Sequence, residues 1–250
     1  MKPPLSVVII TLNAGHCLEP CLQSVRFADE VLIVDAGSID DTLAIAARFG
    51  ARVVTEVWRG FGRQKQFAVE LARHDWVLCV DADERVSPEL AKNIEAELNQ
   101  PRFSVYRVAR CNRFLGRWLR HGEGYPDWNL RLFDRRHAQW APVPVHEHVV
   151  TERMVGTLAG DLLHESQDTL GSYLDKQNRY TSLQAHKLFE EGARVGVMRL
   201  TLSPVLRFVK FYFFRAGFRD GVAGFIHIAI GCFNSFVKYA KLLDLRRTKR

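Results

Sequence analysis

Long apolar runs, paired cysteines and glycine-rich phosphate loops are all missing from this sequence. No stretch of 18 or more uninterrupted apolar residues occurs, so a transmembrane helix is not expected. The first residues, Met1-Lys2-Pro3-Pro4-Leu5, run straight towards a short β-branched stretch and lack the layout of a signal peptide. Five cysteines are scattered (Cys17, Cys21, Cys79, Cys111 and Cys232). Cys17 and Cys21 lie one helical turn apart, with no second pair to complete a zinc site, so all five read as free thiols of a reducing compartment. There is no G-x-G-x-x-G and no P-loop, which excludes the common glycine cradles for dinucleotides and triphosphates. Internal repeats and low-complexity segments are absent as well.

What is present is a folding chain of ordinary composition: 250 residues, 47% hydrophobic and 25% charged. Its net charge of +7 is unevenly spread. Residues 201–250 hold ten Lys or Arg against Asp220 and Asp244, a balance of +8, so the first 200 residues stand at −1. The basic character therefore belongs to the C-terminal segment.

The first hundred residues alternate between short apolar strands and amphipathic helices. Strands are expected at Val7–Thr11, Glu30–Asp35, Ala51–Thr55 and Trp76–Glu84. Between them, Leu18, Cys21, Leu22 and Val25 mark one helix face, with Pro20 in its first turn. Leu43, Ala46 and Ala47 mark another, ended by Gly50. A third helix runs from about Gln64 to Arg73, and a fourth starts at Ser87-Pro88 with Leu90, Ile94 and Leu98 inward. This alternation is that of a doubly wound, mainly parallel α/β sheet.

Acids close the C-terminal edges of that sheet: Asp35 after the second strand, Glu56 near the third, Asp81 and Asp83 after the fourth. Ligands bind at those edges in open α/β sheets. On an extended segment Asp81 and Asp83 share one side, which suits Mg2+ or Mn2+ held by carboxylates and substrate phosphates. A solvated acidic turn after a buried strand is the plain alternative. Without a glycine cradle, a diphosphate here would be held through a metal.

Four segments in order resemble family 2 glycosyltransferases of the GT-A fold. They are Val7-Val8-Ile9-Ile10-Thr11 with Asn13, then Val34-Asp35-Ala36-Gly37-Ser38 with Asp40-Asp41-Thr42, then Gly62 with Gln64-Lys65 and Phe67-Ala68, and finally Val80-Asp81-Ala82-Asp83-Glu84. Further segments are similar to one branch of that family, among them Asp127-Trp128-Asn129-Leu130-Arg131-Leu132-Phe133, Val145-His146-Glu147 and Tyr173-Leu174 followed by Lys176 and Asn178-Arg179-Tyr180. Arg215-Ala216-Gly217-Phe218-Arg219-Asp220-Gly221 and Phe236-Val237-Lys238-Tyr239-Ala240-Lys241 belong to the same likeness. The branch includes bacterial lipopolysaccharide inner-core β-1,4-glucosyltransferases, which add glucose to a core heptose, and transferases of other envelope sugars.

The resemblance implies an inverting transfer from a UDP-sugar donor to a lipid-linked saccharide acceptor. It assigns the nucleotide-sugar site to Thr11, Asn13, Asp35, Gly37, Ser38, Gln64, Lys65 and Asp81, and the Mg2+ or Mn2+ of the DXD motif to Asp81 and Asp83. Leu12 stands where the family often has an aromatic residue that stacks on the base. The acceptor must lose a proton, so an acid is needed on the acceptor side. Glu147 is the choice as base, with Asp127 positioning acceptor hydroxyls or the base, and Arg131 steadying acids or phosphates. His146, His148 and His164 are possible third metal ligands, although a lone histidine is more often structural. The glycine-rich His121–Tyr125 reads either as a flap over the donor or as a plain loop.

The expected organisation is a GT-A domain over 1–200, with a nucleotide-sugar half at 1–100 and an acceptor half at 101–200, followed by a basic amphipathic helical segment at 201–250. In that segment Leu206–Phe218 is apolar nearly all round. The next helix, about Phe225 to Leu243, carries a polar stripe of His227, Gly231, Asn234, Lys238 and Lys241. Such basic, aromatic-rich helices lie on anionic membrane surfaces, which puts the enzyme in the cytoplasm, peripheral at the inner face of the inner membrane. A helical hairpin packed on protein is the alternative. A nucleic-acid-binding protein is the rival from another class, given a pI near 9.3, but no nucleic-acid motif is present. A nucleotidyltransferase would need a glycine-rich triphosphate loop, which Thr11-Leu12-Asn13-Ala14-Gly15 is not.

Overall fold

The structure is a computed structural model that describes residues 2–142, 147–166 and 169–248. The chain divides into two compact units, 1–111 with 127–165, and 112–126 with 166–250. The sequence placed the helical boundary at 201. The helical unit comprises 166–250 together with the 112–126 excursion.

In the first unit the elements follow the expected alternation. They are β1 (Leu5–Thr11), α1 (Leu18–Ser24), β2 (Glu30–Asp35), α2 (Thr42–Arg48), β3 (Arg52–Thr55), α3 (Phe61–Leu71), β4 (Trp76–Cys79), β5 (Glu84–Val86) and α4 (Pro88–Asn99). β6 (Val105–Phe114) leads out of this unit to β7 (Arg117–Trp118). The return brings β8 (Asp127–Asp134), β9 (Gln139–Trp140), β10 (Val149–Val150) and β11 (Val155–His164). The sheet order is β3-β2-β1-β4-β8-β6-β11-β5. β3-β2-β1-β4 pair in parallel, whereas β8 joins β4 and β6 antiparallel and β11 joins β5 antiparallel. The sheet is thus mixed, its parallel half carrying the strand ends that matter for ligands.

Both faces of the sheet are covered, which is why β1, β2 and β4 read as unbroken apolar runs. One core joins Ile9, Ile33 and Leu78 to Leu18 and Leu22 of α1 and Leu90 and Ile94 of α4. The other joins Val8, Leu32 and Val77 to Ala68 and Val69 of α3 and to Trp140 and Val149. α4 is capped by the Ser87 hydroxyl, which accepts from the Leu90 N–H, with Pro88 at its start. In α2 the inward face is Thr42, Ile45 and Ala46. Leu43 and Ala47 point outward, because the helix starts at Thr42 and shifts the phase of the stripe.

One expectation about the fourth strand fails in a consequential way. β4 stops at Cys79, and the Glu84 N–H donates to the Asp81 carbonyl at 2.9 Å, closing a β-turn over Asp81–Glu84. Asp81 and Asp83 are therefore not on one side of an extended segment.

The second unit holds α5 (Leu170–Glu190), α6 (Val197–Phe208) and α7 (Gly221–Thr248). A π-helical turn at Val209–Phe214 and a 3-10 turn at Gly217–Asp220 separate α6 from α7. The single helix read over Leu206–Phe218 is thus broken. His121–Tyr125 is tied down within this unit. Buried Asp220 accepts from the backbone N–H of Arg120 (2.9 Å) and of His121 (2.8 Å), and contacts His121 Nδ1 at 2.9 Å. Glu123 is ion-paired to Arg207, and Arg215 donates to the Tyr125 carbonyl at 2.7 Å. These anchors favour the loop reading over a flap. By length and composition Gly217–Thr248 is apolar enough to cross a membrane, although no uninterrupted run exists; a third of its most apolar window is buried. None of the five cysteines is in a disulfide.

Candidate active site

The C-terminal ends of β1, β2 and β4 bring the predicted donor residues together. Asp35, the last residue of β2, is fully buried. Its Oδ1 accepts from the Gly37 N–H (2.9 Å) and the Ser38 N–H (2.8 Å). Its Oδ2 accepts from the Thr11 hydroxyl (2.8 Å) and the Ser38 hydroxyl (2.5 Å). Burial alone would push the Asp35 carboxyl up, but the donors from Ser38, Thr11 and Gly37 outweigh it and hold it below its ordinary value. Gly37 sits at φ +96, a conformation that a side chain would strain, and this lets the loop wrap the carboxylate. Asn13 binds the same loop, its N–H donating to Ser38 Oγ (2.8 Å) and its Oδ1 accepting from the Ile39 N–H (3.0 Å). Asp35 thus shapes this rim, its oxygens occupied by protein donors. Leu12 beside it is half exposed.

α3 supplies the next two residues. Gln64, fully buried, accepts from the Arg59 N–H at 3.2 Å and steadies the Glu56–Gly60 connection. Lys65 is 5% exposed and turns its ammonium towards acids: 2.8 Å to Asp81 Oδ1 and 3.5 Å to Glu147 Oε1, with the Trp140 ring 4.8 Å away. The base chosen from sequence therefore lies beside the donor-site lysine, although 82 residues separate them.

Asp81 is gripped from both sides. Arg131 Nη2 lies 3.0 Å from its Oδ2 and 2.8 Å from Glu84 Oε1. Burial pushes the Asp81 carboxyl up, but the Arg131 and Lys65 charges more than offset this and hold it well below the usual carboxylate range. Glu84 has no exposed surface, and burial pushes its carboxyl above the ordinary value despite Arg131. Arg110 continues the chain of alternating charge, 3.9 Å from Glu84 and 2.8 Å from Asp127. A line of ion pairs runs Glu147, Lys65, Asp81, Arg131, Glu84, Arg110, Asp127. It joins both candidate bases. Arg131 was legible in the sequence as a steadying group; Arg110, Glu84 and Trp140 were not, because their roles depend on β6, β8 and β9 meeting behind the turn. Arg131 Nε and Nη1 are buried without a hydrogen-bond acceptor among the described residues, over the Trp140 face at 5.9 Å.

The turn sends Asp83 elsewhere. Its Oδ2 lies 3.2 Å from His164 Nε2 at the end of β11, and its side chain is 39% exposed. The two make an oxygen and nitrogen donor pair of the kind first-row divalent ions accept. Among the described residues no cluster of three His, Cys, Asp or Glu forms a ready-made metal cage. The pair fits an ion that completes its shell with substrate phosphates and water, as Mg2+ does. Both Asp81 oxygens face cations. The His148 carbonyl accepts from the Ala141 N–H at 2.8 Å; His146 lies outside the described residues.

Fold and side chains together define an α/β protein with a polar cluster at the C-terminal ends of parallel strands, rich in paired acids and cations. The model for glycosyl transferase family 2 matches residues 6–156. The chain is 34% identical to the lipopolysaccharide core biosynthesis glycosyltransferase LpsC of Rhizobium meliloti, over 99% of this chain and 95% of that one. It is 32% identical to an uncharacterized glycosyltransferase of Rickettsia typhi, over 98% of this chain and 89% of that one. Among solved structures, residues 1–349 of Staphylococcus aureus TarS align over 96% of this chain and 88% of that one at 17% identity, with a TM-score of 0.49. The chain belongs to glycosyltransferase family 2, with the GT-A fold, and is an enzyme of glycosyl transfer.

Proposed function

We propose that this enzyme moves a hexose, glucose being the first choice, from a UDP-sugar to a lipid-linked envelope saccharide, the inner-core heptose of lipopolysaccharide, with inversion at the anomeric carbon. The carrying observation is the gathering of Lys65, Asp81 and Glu147 at one strand end. The whole-length likeness to a lipopolysaccharide core glycosyltransferase supports the acceptor class. Another envelope sugar on the same acceptor class is the nearest variant of the reading.

In this mechanism the Thr11, Asp35, Gly37 and Ser38 rim and Asn13 receive the nucleoside, with Gln64 fixing the adjoining loop. Lys65, released in part from Asp81, faces the diphosphate. Glu147 takes the proton from the acceptor hydroxyl as that oxygen attacks the anomeric carbon and the bond to UDP breaks. Asp127, clamped by Arg110, orients acceptor hydroxyls. A Mg2+ or Mn2+ held by Asp83 and His164, with Asp81 at its edge, would supply charge neutralisation for the departing diphosphate. Asp83→Asn is expected to keep its melting temperature without ligand and to lose most of the Mn2+-dependent rise that UDP causes. A calorimetric scan with and without Mn2+ reads this, and an undiminished rise removes Asp83 from the ion.

The reading includes an anionic membrane surface as partner and no nucleic acid. Supporting it, Phe213, Phe214, Phe218 and Val222 are exposed around the break between α6 and α7, beside Lys210, Arg215 and Arg219. Apolar groups of this size rimmed by cations suit the interface of an anionic bilayer. The polar stripe of α7 packs towards α5, with Asn234 donating to Gln177 at 2.9 Å and Lys241 to the Asn178 carbonyl at 2.8 Å. That supports a helix lying on protein and membrane surface over one crossing the bilayer, at the cytoplasmic face. Replacing Phe213 and Phe214 by Ser is expected to cut co-sedimentation with phosphatidylglycerol vesicles by about tenfold or more, by loss of buried apolar area. Unchanged co-sedimentation would remove this face from the interface.

A further inference from the structure

The polar stripe of α7 leads to a cavity. Read from sequence, His227, Gly231, Asn234 and Lys238 form the wet side of a surface helix. In the helical unit these four residues instead line a cavity of about 260 Å3, with α5 across from them. α5 contributes Tyr173, Gln177 and Gln184 to the wall, α6 contributes Arg207, and Glu123 closes one end. The volume lies near the lower limit of small-molecule sites.

The polar side chains of an open cavity need not pair with protein, since water reaches them. Some do. Arg207 neutralises Glu123, and Asn234 Nδ2 donates to Gln177 Oε1 at 2.9 Å. Gly231 makes the first pairing possible, because a Cβ there would come within 2.4 Å of Glu123 Oε2. The remainder have no protein partner among the described residues. No hydrogen bond is made by the Tyr173 hydroxyl, the Gln184 amide, Asn234 Oδ1 or Gln177 Nε2. Lys238 has no carboxylate within ion-pair distance among the described residues, and its ammonium meets only the Tyr239 ring at 4.6 Å.

The wall thus offers an uncommitted hydroxyl, three amides with free positions and one uncommitted cation. With Glu123 and Arg207 cancelling, its formal charge is +1. We infer that this cavity binds an acidic saccharide: a sugar unit bearing one carboxylate or phosphate. The planar amides of Gln177 and Asn234 suit adjacent ring hydroxyls, which both donate and accept. The ammonium of Lys238 takes the anionic group in a charge-assisted contact. Tyr173 and His227, whose rings lie 6.2 Å apart, give the wall a flat, weakly polar side for the sugar face. The cavity shares no residue with the donor site, so the inference goes beyond the transferase reading and does not rest on it.

Calorimetric titration of the full chain tests it, with saturating UDP and Mn2+ present so that the donor site is filled. Glucuronate and glucose 6-phosphate are the probes; glucose, inorganic phosphate and glycerophosphoglycerol are the controls. Both acidic sugars are expected to bind at least tenfold more tightly than any control. Lys238→Gln and Gln184→Glu should each weaken them about tenfold or more while glucose is little affected. Gln184 is exposed on α5, so its variant retains the fold even if the change at Lys238 does not. Absence of binding by both acidic sugars overturns the proposal. So does equal binding of phosphate or glycerophosphoglycerol, which would make the cavity an anion or lipid-headgroup site. Affinity unchanged in Gln184→Glu would place the sugars elsewhere and overturn it too. Loss of UDP binding with acidic-sugar binding intact would count against the donor-site reading alone.

Discussion

Glu147→Gln is expected to bind the UDP-sugar with little change in affinity and to lose kcat by about 10²- to 10⁴-fold, the usual worth of a positioned general base. The substitution keeps size and hydrogen bonding but removes the proton acceptor. Glu147 pairs with Lys65 at 3.5 Å, a loose contact, so its loss does not dismantle the site. The Lys65 ammonium keeps its shorter 2.8 Å contact with Asp81. KM for the donor should therefore hold while kcat falls. Asp127→Asn is the internal comparison. Asp127 is bound by Arg110 through two nitrogens at 2.9 and 2.8 Å, which suits a residue that orients rather than one that accepts a proton. A loss in kcat confined to Asp127→Asn would exchange the two roles.

The second large effect falls on stability. Arg131→Leu is expected to cost about 3–5 kcal/mol, the range for breaking a buried ion pair by removing one partner. Arg131 is 3% exposed and bridges Asp81 and Glu84. Without it, Glu84 keeps the Asp81 N–H at 2.9 Å and, as its one cation among the described residues, Arg110 at 3.9 Å, and is left ionised in an apolar setting or protonated. The sign of the pH dependence follows. The Glu84 carboxyl is already raised in the folded protein, and removing Arg131 raises it further. A group whose folded value exceeds its unfolded value binds more protons when folded, so the variant loses stability as pH rises above the ordinary carboxylate range. Denaturant unfolding at pH 5 and pH 7 should show the larger deficit at pH 7. The double variant Arg131→Leu with Glu84→Gln should recover part of it. A deficit of the same size at both pH values would separate the loss from Glu84.

The order of strands and helices was legible in the sequence wherever burial imposed a pattern. β1 and β2 are covered on both faces and read as apolar runs; α4 carries its own cap in Ser87 and Pro88. The rim around Asp35 was legible for the same local reason, since Asp35, Gly37 and Ser38 lie within one turn of chain. The Asp81–Asp83 pair was expected on one side of an extended strand. A period-two expectation holds only while the strand continues, and a turn closed by Glu84 N–H separates the two carboxylates. Contacts distant in sequence were beyond reach, as with Arg110 to Asp127 and Glu84, or Asp83 to His164. The stripe on α7 shows a further limit. Helical periodicity marks a polar face but does not say whether that face meets water or another helix, and here it meets α5 across a cavity.

The enzyme's proposed role rests on a single transfer. The direct measurement is the 1H NMR spectrum of the product made by the purified enzyme from UDP-glucose, Mn2+ and detergent-dispersed lipopolysaccharide truncated at its inner-core heptose. The result expected is one new anomeric signal with the large coupling of a β-linked glucose, appearing with stoichiometric UDP and absent for Asp83→Asn. A product with the small coupling of an α-linkage, or no transfer from any UDP-hexose, would contradict it.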